Sequence, residues 1–312
     1  MEYIKDLNLL DIDGFTSVTV GKFDGIHRGH EYLAKKIVAD AKEHHRKSVV
    51  VTFDKSPRYT FGSDEEKKLK NLITNDERAM ILNHIGVDYL VELPFTKDII
   101  SMEPKAFLEF LIEKIHMKYI TCGPDFTFGC QGRGNALLLK EYESLFGYQS
   151  EVVEKLKDFT RDISSTFIRE EIIAGNMEKA NCLLGYQYFV YGEIVHGNHI
   201  GRKMKMPTIN ILPTSDKLLP PNGVYVSKVI IDKTSYTGVT NIGLKPTIEE
   251  EEKRMGVETH ILDFEGDVYG KVAKVEFLKF VRPERKFSSL DELANQIADD
   301  TKTAKEYFEM LQ

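Results

Sequence analysis

The first half of the chain alternates short runs of apolar residues with longer stretches in which apolar positions recur every three or four residues. Runs of the first kind are typical of β-strands, and stretches of the second kind are typical of helices that bury one face. The predicted strands are 17–20, 48–53, 89–93, 119–122 and 149–153, and the predicted helices are about 30–46, 75–86, 103–117, 136–146 and 164–184. This alternation predicts a parallel, doubly wound sheet, in which ligands bind at the carboxyl ends of the strands.

After Gly185 the pattern changes to short β-type runs separated by glycine, proline and charged turns. The runs are 190–195, 208–212, 223–231, 235–241, 257–264 and 271–277. Short strands at this spacing predict an antiparallel β-barrel or sandwich, and a final amphipathic stretch at about 289–311 predicts a helix packed against it. We therefore predict an α/β domain at 1–185 and an antiparallel β domain at 186–312.

Composition limits the class of protein. The 312 residues are 42% hydrophobic and 29% charged, with a formal net charge of −7 at pH 7. A negative net charge argues against a nucleic-acid partner, but it allows a local positive site that binds anionic nucleotides. The three cysteines form no Cys-x-x-Cys pair and indicate neither a disulfide framework nor a zinc site. The sequence has no signal-peptide pattern and no apolar run near the roughly 20 residues of a membrane span, so we expect a cytoplasmic protein without a membrane partner.

The most informative motif follows the first predicted strand. Residues 21–30 read Gly-Lys-Phe-Asp-Gly-Ile-His-Arg-Gly-His and lead into the first predicted helix. Glycines let the backbone approach a phosphate, and a helix N-terminus offers free N–H groups and the positive end of a dipole. His27 and His30 at such a turn can donate hydrogen bonds to a phosphate whose charge grows in a transition state. The alternative is a tight turn with two surface histidines.

Three further segments of the first domain could bind a nucleotide or a flat ring. The run 123–129, Gly-Pro-Asp-Phe-Thr-Phe-Gly, is a glycine-bounded loop whose phenylalanines either stack on a ring or fold back into the core. The run 164–169, Ser-Ser-Thr-Phe-Ile-Arg, opens a helix, so its hydroxyls either cap that helix or, with Arg169, hold phosphate. Phe53 and Asp54 end the second strand and on their own indicate only a turn.

The second half contains a different set of candidate residues. A glycine loop with Gly197 and Gly201 leads to a strand on which Thr208 and Asn210 alternate onto one face. Oxygen ligands of this kind suit Mg²⁺, although an ordinary barrel strand could show the same pattern. Glu258 is a candidate base for a hydroxyl if it faces a pocket, and a solvent-facing residue otherwise.

Taken in order, these motifs resemble those of the bacterial bifunctional riboflavin kinase/FMN adenylyltransferase (FAD synthetase) family. The match is complete at 21–30, 125–129 and 164–169 and continues to 282–287, so that the resemblance covers about 15–311. It implies a Rossmann-like nucleotidyltransferase domain followed by a β-barrel kinase domain. The kinase would convert riboflavin to FMN with ATP, and the transferase would join FMN to the AMP of a second ATP, giving FAD and pyrophosphate.

The resemblance also implies roles for individual residues. In the transferase domain it assigns ATP to Gly21, Phe23, Asp24, Gly25, His27, Gly29, His30, Ser164, Ser165, Thr166 and Arg169, and flavin to Phe53, Asp54, Asp125, Phe126, Phe128 and Asn135. In the kinase domain it assigns ATP to Gly197, Gly201, Arg202, Pro207, Thr208 and Asn210, Mg²⁺ to the last two of these, and flavin to Arg282, Glu284, Lys286 and Phe287. His27 and His30 would stabilise charge in the first site, and Glu258 would activate the ribityl 5′-hydroxyl in the second. The expected partners are small-molecule flavins and ATP, bound by a monomer or weak oligomer.

Three departures from the family pattern involve four positions. Lys22 stands where a small or polar residue is common, and Asn135 stands where the family loop often ends in aspartate. In the kinase loop, Lys205-Met206 replaces Gly-Phe. Lysine does not adopt positive φ as cheaply as glycine, so the last change could slow the kinase, alter loop closure or add a phosphate-binding charge. Two alternative functions follow: a flavin-binding regulator that has lost one or both activities, or an adenylyltransferase for another phosphorylated metabolite with an accessory barrel.

Overall fold

The computed structural model describes residues 1–55, 63–196, 208–246 and 253–310. It divides into two compact units, Met1–Ser165 and Thr166–Gln312. Each unit has its own sheet and its own core of buried side chains.

The first unit is built on a six-stranded parallel sheet. The strands of this unit are β1 (Glu2–Ile4), β2 (Thr16–Val20), β3 (Lys47–Phe53), β4 (Tyr89–Leu93), β5 (Met117–Cys122), β6 (Thr127–Phe128), β7 (Gly134–Asn135), β8 (Gln149–Val152), β9 (Lys157–Asp158) and β10 (Arg161–Asp162). The main sheet has the order β1-β4-β3-β2-β5-β8, and β6–β7 and β9–β10 form two small hairpins. The five predicted strands are confirmed to within two residues, and β1 was not predicted.

Helices cover both faces of this sheet. The helices of this unit are α1 (Arg28–Glu43), α2 (Asp64–Lys68), α3 (Asn75–Ile85), α4 (Lys97–Ile100), α5 (Pro104–Ile115), α6 (Ala136–Glu141) and α7 (Glu143–Phe146). A further helix, α8 (Ser165–Ile173), begins at the last residue of this unit and belongs otherwise to the second unit. Successive strand residues point to opposite faces, so Val49 and Val51 pack with α5 residues in one core cluster while Val50 packs with α1 residues in another. The predicted doubly wound sheet is therefore confirmed.

The strand order brings β2 and β5 side by side, with β3 and β4 beyond β2 and β8 beyond β5. The chain leaves β2 toward one side of the sheet and leaves β5 toward the other. A parallel sheet binds ligands at such a switch point, outside the carboxyl ends of the strands. The predicted glycine turn and the predicted aromatic loop both start there, directly after Val20 and Cys122.

The second unit is a curled antiparallel sheet with helices beside it. Its strands are β11 (Phe189–Glu193), β12 (Thr208–Ile211), β13 (Gly223–Ile231), β14 (Thr234–Pro246), β15 (Lys253–Ile261) and β16 (Val272–Pro283), and its own helices are α9 (Met177–Leu184) and α10 (Leu290–Glu309). The sheet order is β11-β16-β13-β14-β15-β12. A single bridge between Val195 and Asn210 joins the two edges. The predicted barrel is confirmed in this form, a curled half-barrel whose edges meet at one point.

Four predicted elements differ in extent. The stretch 164–184 forms two helices because Gly175 adopts a left-handed φ of 79° between α8 and α9. Strands β14 and β16 end five and six residues after their predicted ends. Strand β15 begins four residues before its predicted start and ends three residues before its predicted end. The predicted terminal helix is confirmed as α10, which packs through Ala304 against Val224, Val226 and Val239 on one face of the sheet.

Candidate active sites

The glycine turn after β2 has a strained backbone that the core holds in place. Phe23 and Ile26 adopt left-handed φ angles of 46° and 34°, although bulky residues disfavour that region. Both side chains are 1% exposed, so burial holds the conformation. Thr52 Oγ1 at the end of β3 donates to the carbonyl of Lys22 at 3.4 Å and fixes the turn to the sheet. Strain of this kind concentrates at functional sites.

His27 and His30 form a stacked pair at the start of α1. Their ring centroids lie 3.9 Å apart with 21° between the planes, and Phe23 packs 5.1 Å from the His30 ring. His27 is the N-cap of α1, where its Nδ1 accepts a hydrogen bond from the Gly29 N–H at 3.2 Å. Since Nδ1 is the acceptor, the neutral ring carries its proton on Nε2 and can donate there. A Cβ at Gly29 would lie 3.2 Å from the His27 ring, so a glycine suits this close approach.

Both imidazoles are neutral at neutral pH. Burial lowers the pKa of His27 to about 4, and the negative charge of Asp24 only partly opposes this shift. Burial lowers the pKa of His30 well below its ordinary value, and the neighbouring His27 and Arg78 add to the effect. Two neutral rings stack without the repulsion that two imidazolium ions would feel at this distance. His27 can therefore donate a hydrogen bond from Nε2 to an anionic group.

Asp24 has a structural role in this turn. Its Oδ1 accepts hydrogen bonds from the backbone N–H groups of Leu72 at 2.8 Å and Ile73 at 3.4 Å. Its carbonyl oxygen accepts one from Ser165 Oγ at 2.7 Å. The last contact brings the start of the predicted Ser-Ser-Thr segment to the histidine turn. Asp24 therefore anchors the turn to two other segments of the first unit.

The other members of the 164–169 motif follow along α8. Ser164 is half-buried, Thr166 is exposed, and Arg169 is 7% exposed. Thr166 and Arg169 belong to the second unit. In the first unit, Gly21 and Gly25 flank the strained segment that contains Phe23.

The aromatic loop after β5 combines one half-buried and one buried ring. Phe126 is half-buried and stacks on Phe128, with ring centroids 5.4 Å apart. Phe128 is 5% exposed and packs 6.1 Å from Phe107 in the core. The sequence left open whether these phenylalanines face a ligand or the core, and Phe128 faces the core. Phe126 is the ring of this loop that a ligand can reach.

The remaining predicted flavin residues of this unit lie near the same edge of the sheet or on the adjoining loops. Phe53 meets Phe95 edge-on at 5.6 Å, and Asp54 Oδ1 accepts from the Phe95 N–H at 2.8 Å. Asp125 is exposed and forms an ion pair with Lys155. Asn135 is the N-cap of α6, because its Oδ1 accepts from the Leu138 N–H at 2.9 Å.

One buried charged residue of this region was not singled out from the sequence. Arg78 on α3 is 7% exposed, and its charge contributes to the low pKa of His30. The sequence does contain a pattern that could have located Arg78. Thr74-x-x-Glu77 is a capping box that fixes the start of the helix. Arg78 then lies one turn before the buried Leu82, on the buried face.

In the second unit, strand register brings three predicted residues onto one face. Asn210 on β12 lies directly opposite Glu258 on β15, and Thr208 lies opposite His260. Directly opposed residues share a face of a sheet, so Thr208, Asn210 and Glu258 point to the same side. Asn210 is 6% exposed and Glu258 is half-buried. Gly197, Gly201, Arg202 and Pro207, together with Lys205-Met206, lie outside the described residues.

The predicted flavin segment of this unit continues from β16. Arg282 forms a two-pronged ion pair with Asp300, at 2.9 and 2.7 Å, and stacks at 5.9 Å over Phe287. Glu284 accepts hydrogen bonds from the side-chain amides of Asn241 at 3.1 Å and Asn222 at 3.3 Å. Asn241 is also the residue directly opposite Glu258 on β14. Asn241 therefore links Glu284 to the position of Glu258 in the sheet. Lys286 is exposed near the end of the segment.

The described residues contain no group of three or more His, Cys, Asp or Glu side chains arranged to hold a metal ion. Across the same part of the chain, no helix is both long enough and apolar enough to span a bilayer.

Fold and sites together define a class: a two-domain enzyme with a nucleotidyltransferase-type α/β unit and a separate kinase-type β unit. Residues 11–167 match the family model described as FAD synthetase, and residues 184–308 match the one described as riboflavin kinase. The bifunctional riboflavin kinase/FMN adenylyltransferase of Bacillus subtilis (strain 168) is 34% identical over 297 residues, covering 94% of this chain and 93% of that protein. The protein of the same name in Escherichia coli (strain K12) is 32% identical over 293 residues, covering 93% and 92%.

The chain therefore belongs to the bifunctional riboflavin kinase/FMN adenylyltransferase family, as the motifs predicted. A crystal structure described as a macrolide-efflux protein from Streptococcus pneumoniae has the same fold over 98% of this chain and 99% of its own. Its TM-score is 0.84 and its identity is 32%. The activity in that description concerns the other protein, and the riboflavin kinase and FAD synthetase matches define the enzyme class here.

Proposed function

We propose that the second unit phosphorylates riboflavin to FMN and that the first unit adenylylates FMN to FAD, each reaction consuming one ATP. The observation that carries the proposal is the stacked, neutral His27–His30 pair at the glycine turn, at the switch point of a parallel sheet. Among the alternatives, the regulator is disfavoured because the histidine motif and the set Thr208, Asn210 and Glu258 are present. The single-site adenylyltransferase is disfavoured because Thr208, Asn210 and Glu258 share one face.

In the proposed transferase reaction, a phosphate oxygen of FMN attacks the α-phosphorus of ATP. The bond between the α-phosphorus and the oxygen that bridges to the β-phosphorus breaks, and pyrophosphate leaves. His27 donates from Nε2, and His30 stacked on it is the second donor, to the oxygens on which charge grows. Phe126, Phe53 and Asp54 form the flavin side of the site. The 164–169 motif is assigned to the ATP phosphates on the family pattern.

In the proposed kinase reaction, the ribityl 5′-hydroxyl of riboflavin attacks the γ-phosphorus of ATP and ADP leaves. Glu258 accepts the hydroxyl proton, because an alcohol is a weak nucleophile until a base takes its proton. Catalysis otherwise depends on positioning and on stabilisation of phosphate charge. Arg282, Glu284, Lys286 and Phe287 are proposed to wall the flavin site.

The donor set of the kinase site fits Mg²⁺. Thr208 and Asn210 offer a hydroxyl and an amide oxygen on one face, next to the Glu258 carboxylate. Mg²⁺ prefers oxygen ligands and is usually bound by few protein groups together with substrate phosphates. When bound, the ion would neutralise charge on the ATP phosphates. Thr208 and Asn210 would hold it.

We also propose a cytoplasmic location, no nucleic-acid partner, and a monomer or weak oligomer. The net charge of −7 supports the absence of a nucleic-acid partner. The proposed use of ATP at both sites supports the cytoplasmic location. Light scattering during size-exclusion chromatography tests the oligomeric state, and a tight oligomer would contradict the proposal.

The experiment that tests the function is chromatography of flavins after purified protein is incubated with Mg²⁺–ATP and either riboflavin or FMN. Conversion of riboflavin to FMN and then FAD is expected. FAD formed only from added FMN would leave a transferase with an inactive kinase and implicate Lys205-Met206. FMN without FAD would contradict the role of the histidine pair. Flavin that binds without conversion would identify a regulator.

A further inference from the structure

Arg78 is a buried cation with few fixed partners. Its side chain on α3 is 8% exposed, and its Nη1 donates to Asn75 Oδ1 at 2.9 Å. The Nε–H is buried and has no hydrogen-bond partner among the described residues. A buried cation is costly unless it is paired and hydrogen-bonded.

The charge of Arg78 is only loosely compensated. Its nearest carboxylate is Glu92 on β4, where the Nη1–Oε2 distance is 4.0 Å. That same Oε2 accepts a hydrogen bond from the Tyr3 hydroxyl at 2.6 Å. Burial lowers the pKa of Arg78, and Asp24, Glu92 and Tyr3 oppose the shift only in part. An arginine kept in this environment without a tight ion pair suggests a functional reason for its charge.

On one side, Arg78 faces the histidine turn. Asp24 in that turn is tied to the residues just before α3 by the Leu72 and Ile73 N–H groups. The charge of Arg78 lowers the pKa of His30, whose Nδ1 is itself buried without a hydrogen-bond partner among the described residues. His30 therefore faces two basic groups, His27 and Arg78, while His27 also interacts with Asp24.

On the other side, Arg78 is connected to the proposed flavin side of the site. Asn75, which accepts from Arg78, donates from Nδ2 to the Asp54 carbonyl at 3.4 Å. Asp54 in turn holds the Phe95 N–H, and Phe95 packs edge-on against Phe53. The chain of contacts runs from the charge near His30 to the end of β3.

We propose that Arg78 is a positioning residue of adenylyl transfer: it holds the end of β3 through Asn75 and presents a fixed positive charge to His30. The proposal rests on the proposed transferase function of the first unit. Burial keeps His30 neutral and the positive charge of Arg78 adds to this effect, so that the two rings stay stacked. The contact of Asn75 with Asp54 keeps Asp54 and Phe53 in a fixed position relative to Arg78.

Three variants separate the two parts of this role. Arg78→Met removes the charge and the hydrogen bond, and we expect kcat for FAD formation to fall at least 10-fold and the NMR titration midpoint of His30 to rise. Arg78→Lys keeps the charge, so the His30 midpoint should stay near the wild-type value. Asn75→Ala removes both the hydrogen bond from Arg78 and the one to Asp54 but keeps the Arg78 charge. KM for FMN should therefore rise about 3- to 10-fold with an unchanged His30 midpoint.

Arg46→Met is the matched control, because Arg46 is a largely buried arginine paired with Asp40 at 3.1 Å elsewhere in the same unit. It should change neither the His30 midpoint nor KM for FMN. Loss of the corresponding resonance in His30→Gln assigns the titration among the nine histidines. Riboflavin phosphorylation by the second unit of each full-length variant serves as the control for folding.

The proposal is overturned if Arg78→Met leaves both kcat and the His30 midpoint as they are in Arg46→Met. It is also overturned if Arg78→Met and Arg78→Lys lose kcat equally without any movement of the midpoint, since that result indicates packing alone. If the wild-type protein makes no FAD from FMN, the proposed function fails by itself, and the His30 titration still decides whether Arg78 acts on the histidine pair.

Discussion

On the proposed function, His27 has two roles that substitution can separate. Its Nδ1 caps α1 by accepting from the Gly29 N–H, and its Nε2 is left to donate to a substrate phosphate. His27→Ala removes both roles. His27→Asn keeps the cap, because asparagine is among the preferred N-cap residues, but it removes the imidazole that stacks on His30.

The expected magnitudes of the two losses differ. Loss of an N-cap costs about 1 kcal/mol, which corresponds to roughly 2–4 °C in the melting temperature of a unit of this size. Loss of one preorganised donor to a transition-state oxyanion lowers kcat about 10²- to 10³-fold. His27→Ala should show both effects, and His27→Asn should show the loss of kcat with nearly the wild-type melting temperature.

The assay measures FAD formed from FMN and Mg²⁺–ATP, with FMN formed from riboflavin as the control, and differential scanning calorimetry gives the melting temperature. His27→Asn with FAD synthesis within threefold of wild type would refute the donor role. Equal melting temperatures for His27→Ala and the wild type would refute the capping role. The capping and donor roles can therefore be refuted independently.

Four further outcomes follow from the same geometry. His30→Ala should cut FAD formation at least ~10²-fold and leave FMN formation intact, and near-normal FAD synthesis would contradict its role. Glu258→Ala should block FMN formation while added FMN is still adenylylated, whereas loss of both activities would indicate misfolding. Because the pKa of His27 is about 4 in the fold against 6.5 ordinarily, the unfolded chain binds more protons between these values. The contribution of His27 to stability should therefore fall by roughly 3 kcal/mol as pH drops through that window. The difference between the urea midpoints of the wild type and His27→Asn from pH 7.5 to 4 measures this loss, and a difference that does not change with pH would contradict it. Gly129→Ala should destabilise by about 2–4 kcal/mol through left-handed strain and overpacking, because φ is 72° and a Cβ would lie 2.7 Å from the Pro104 backbone. Calorimetry tests it, and an unchanged melting temperature would contradict the reasoning.

The fold was largely predictable because its signals are local. Buried parallel strands are short apolar runs, so strand β4 was predicted at its observed bounds, 89–93, and the others nearly so. The full extents of β14, β15 and β16 were not predicted because ribbon pairing continues through stretches that mix apolar residues with glycine and charged residues. The break between α8 and α9 depends on one glycine, Gly175, which could equally have been tolerated inside a helix.

The sites were predictable only where their residues are neighbours in the chain. His27 and His30 are three positions apart, so a turn and a helix start were enough to place them together. The alignment of Asn210, Glu258 and Asn241 depends on the register of three strands, which the sequence alone does not fix.

Two side-chain orientations also depended on tertiary packing. Phe128 turns toward Phe107 because the core offers it a partner, a choice that the alternating loop pattern left open. The burial of Arg78 could not be predicted from the sequence, because a single charged residue on an amphipathic helix is usually exposed. Only the packing around Arg78 shows that it is buried.

The chemistry of the two nucleophiles explains why the two sites differ in their residues. The phosphate of FMN is already largely an anion at neutral pH, so its attack requires no base, only donors for the growing charge. The first site offers neutral histidines whose low pKa values keep them from binding protons there. The ribityl hydroxyl must lose a proton as it attacks, and the second site places a carboxylate, Glu258, opposite Asn210 and Asn241. On the proposed assignments, each unit therefore carries the residue type that its own nucleophile requires.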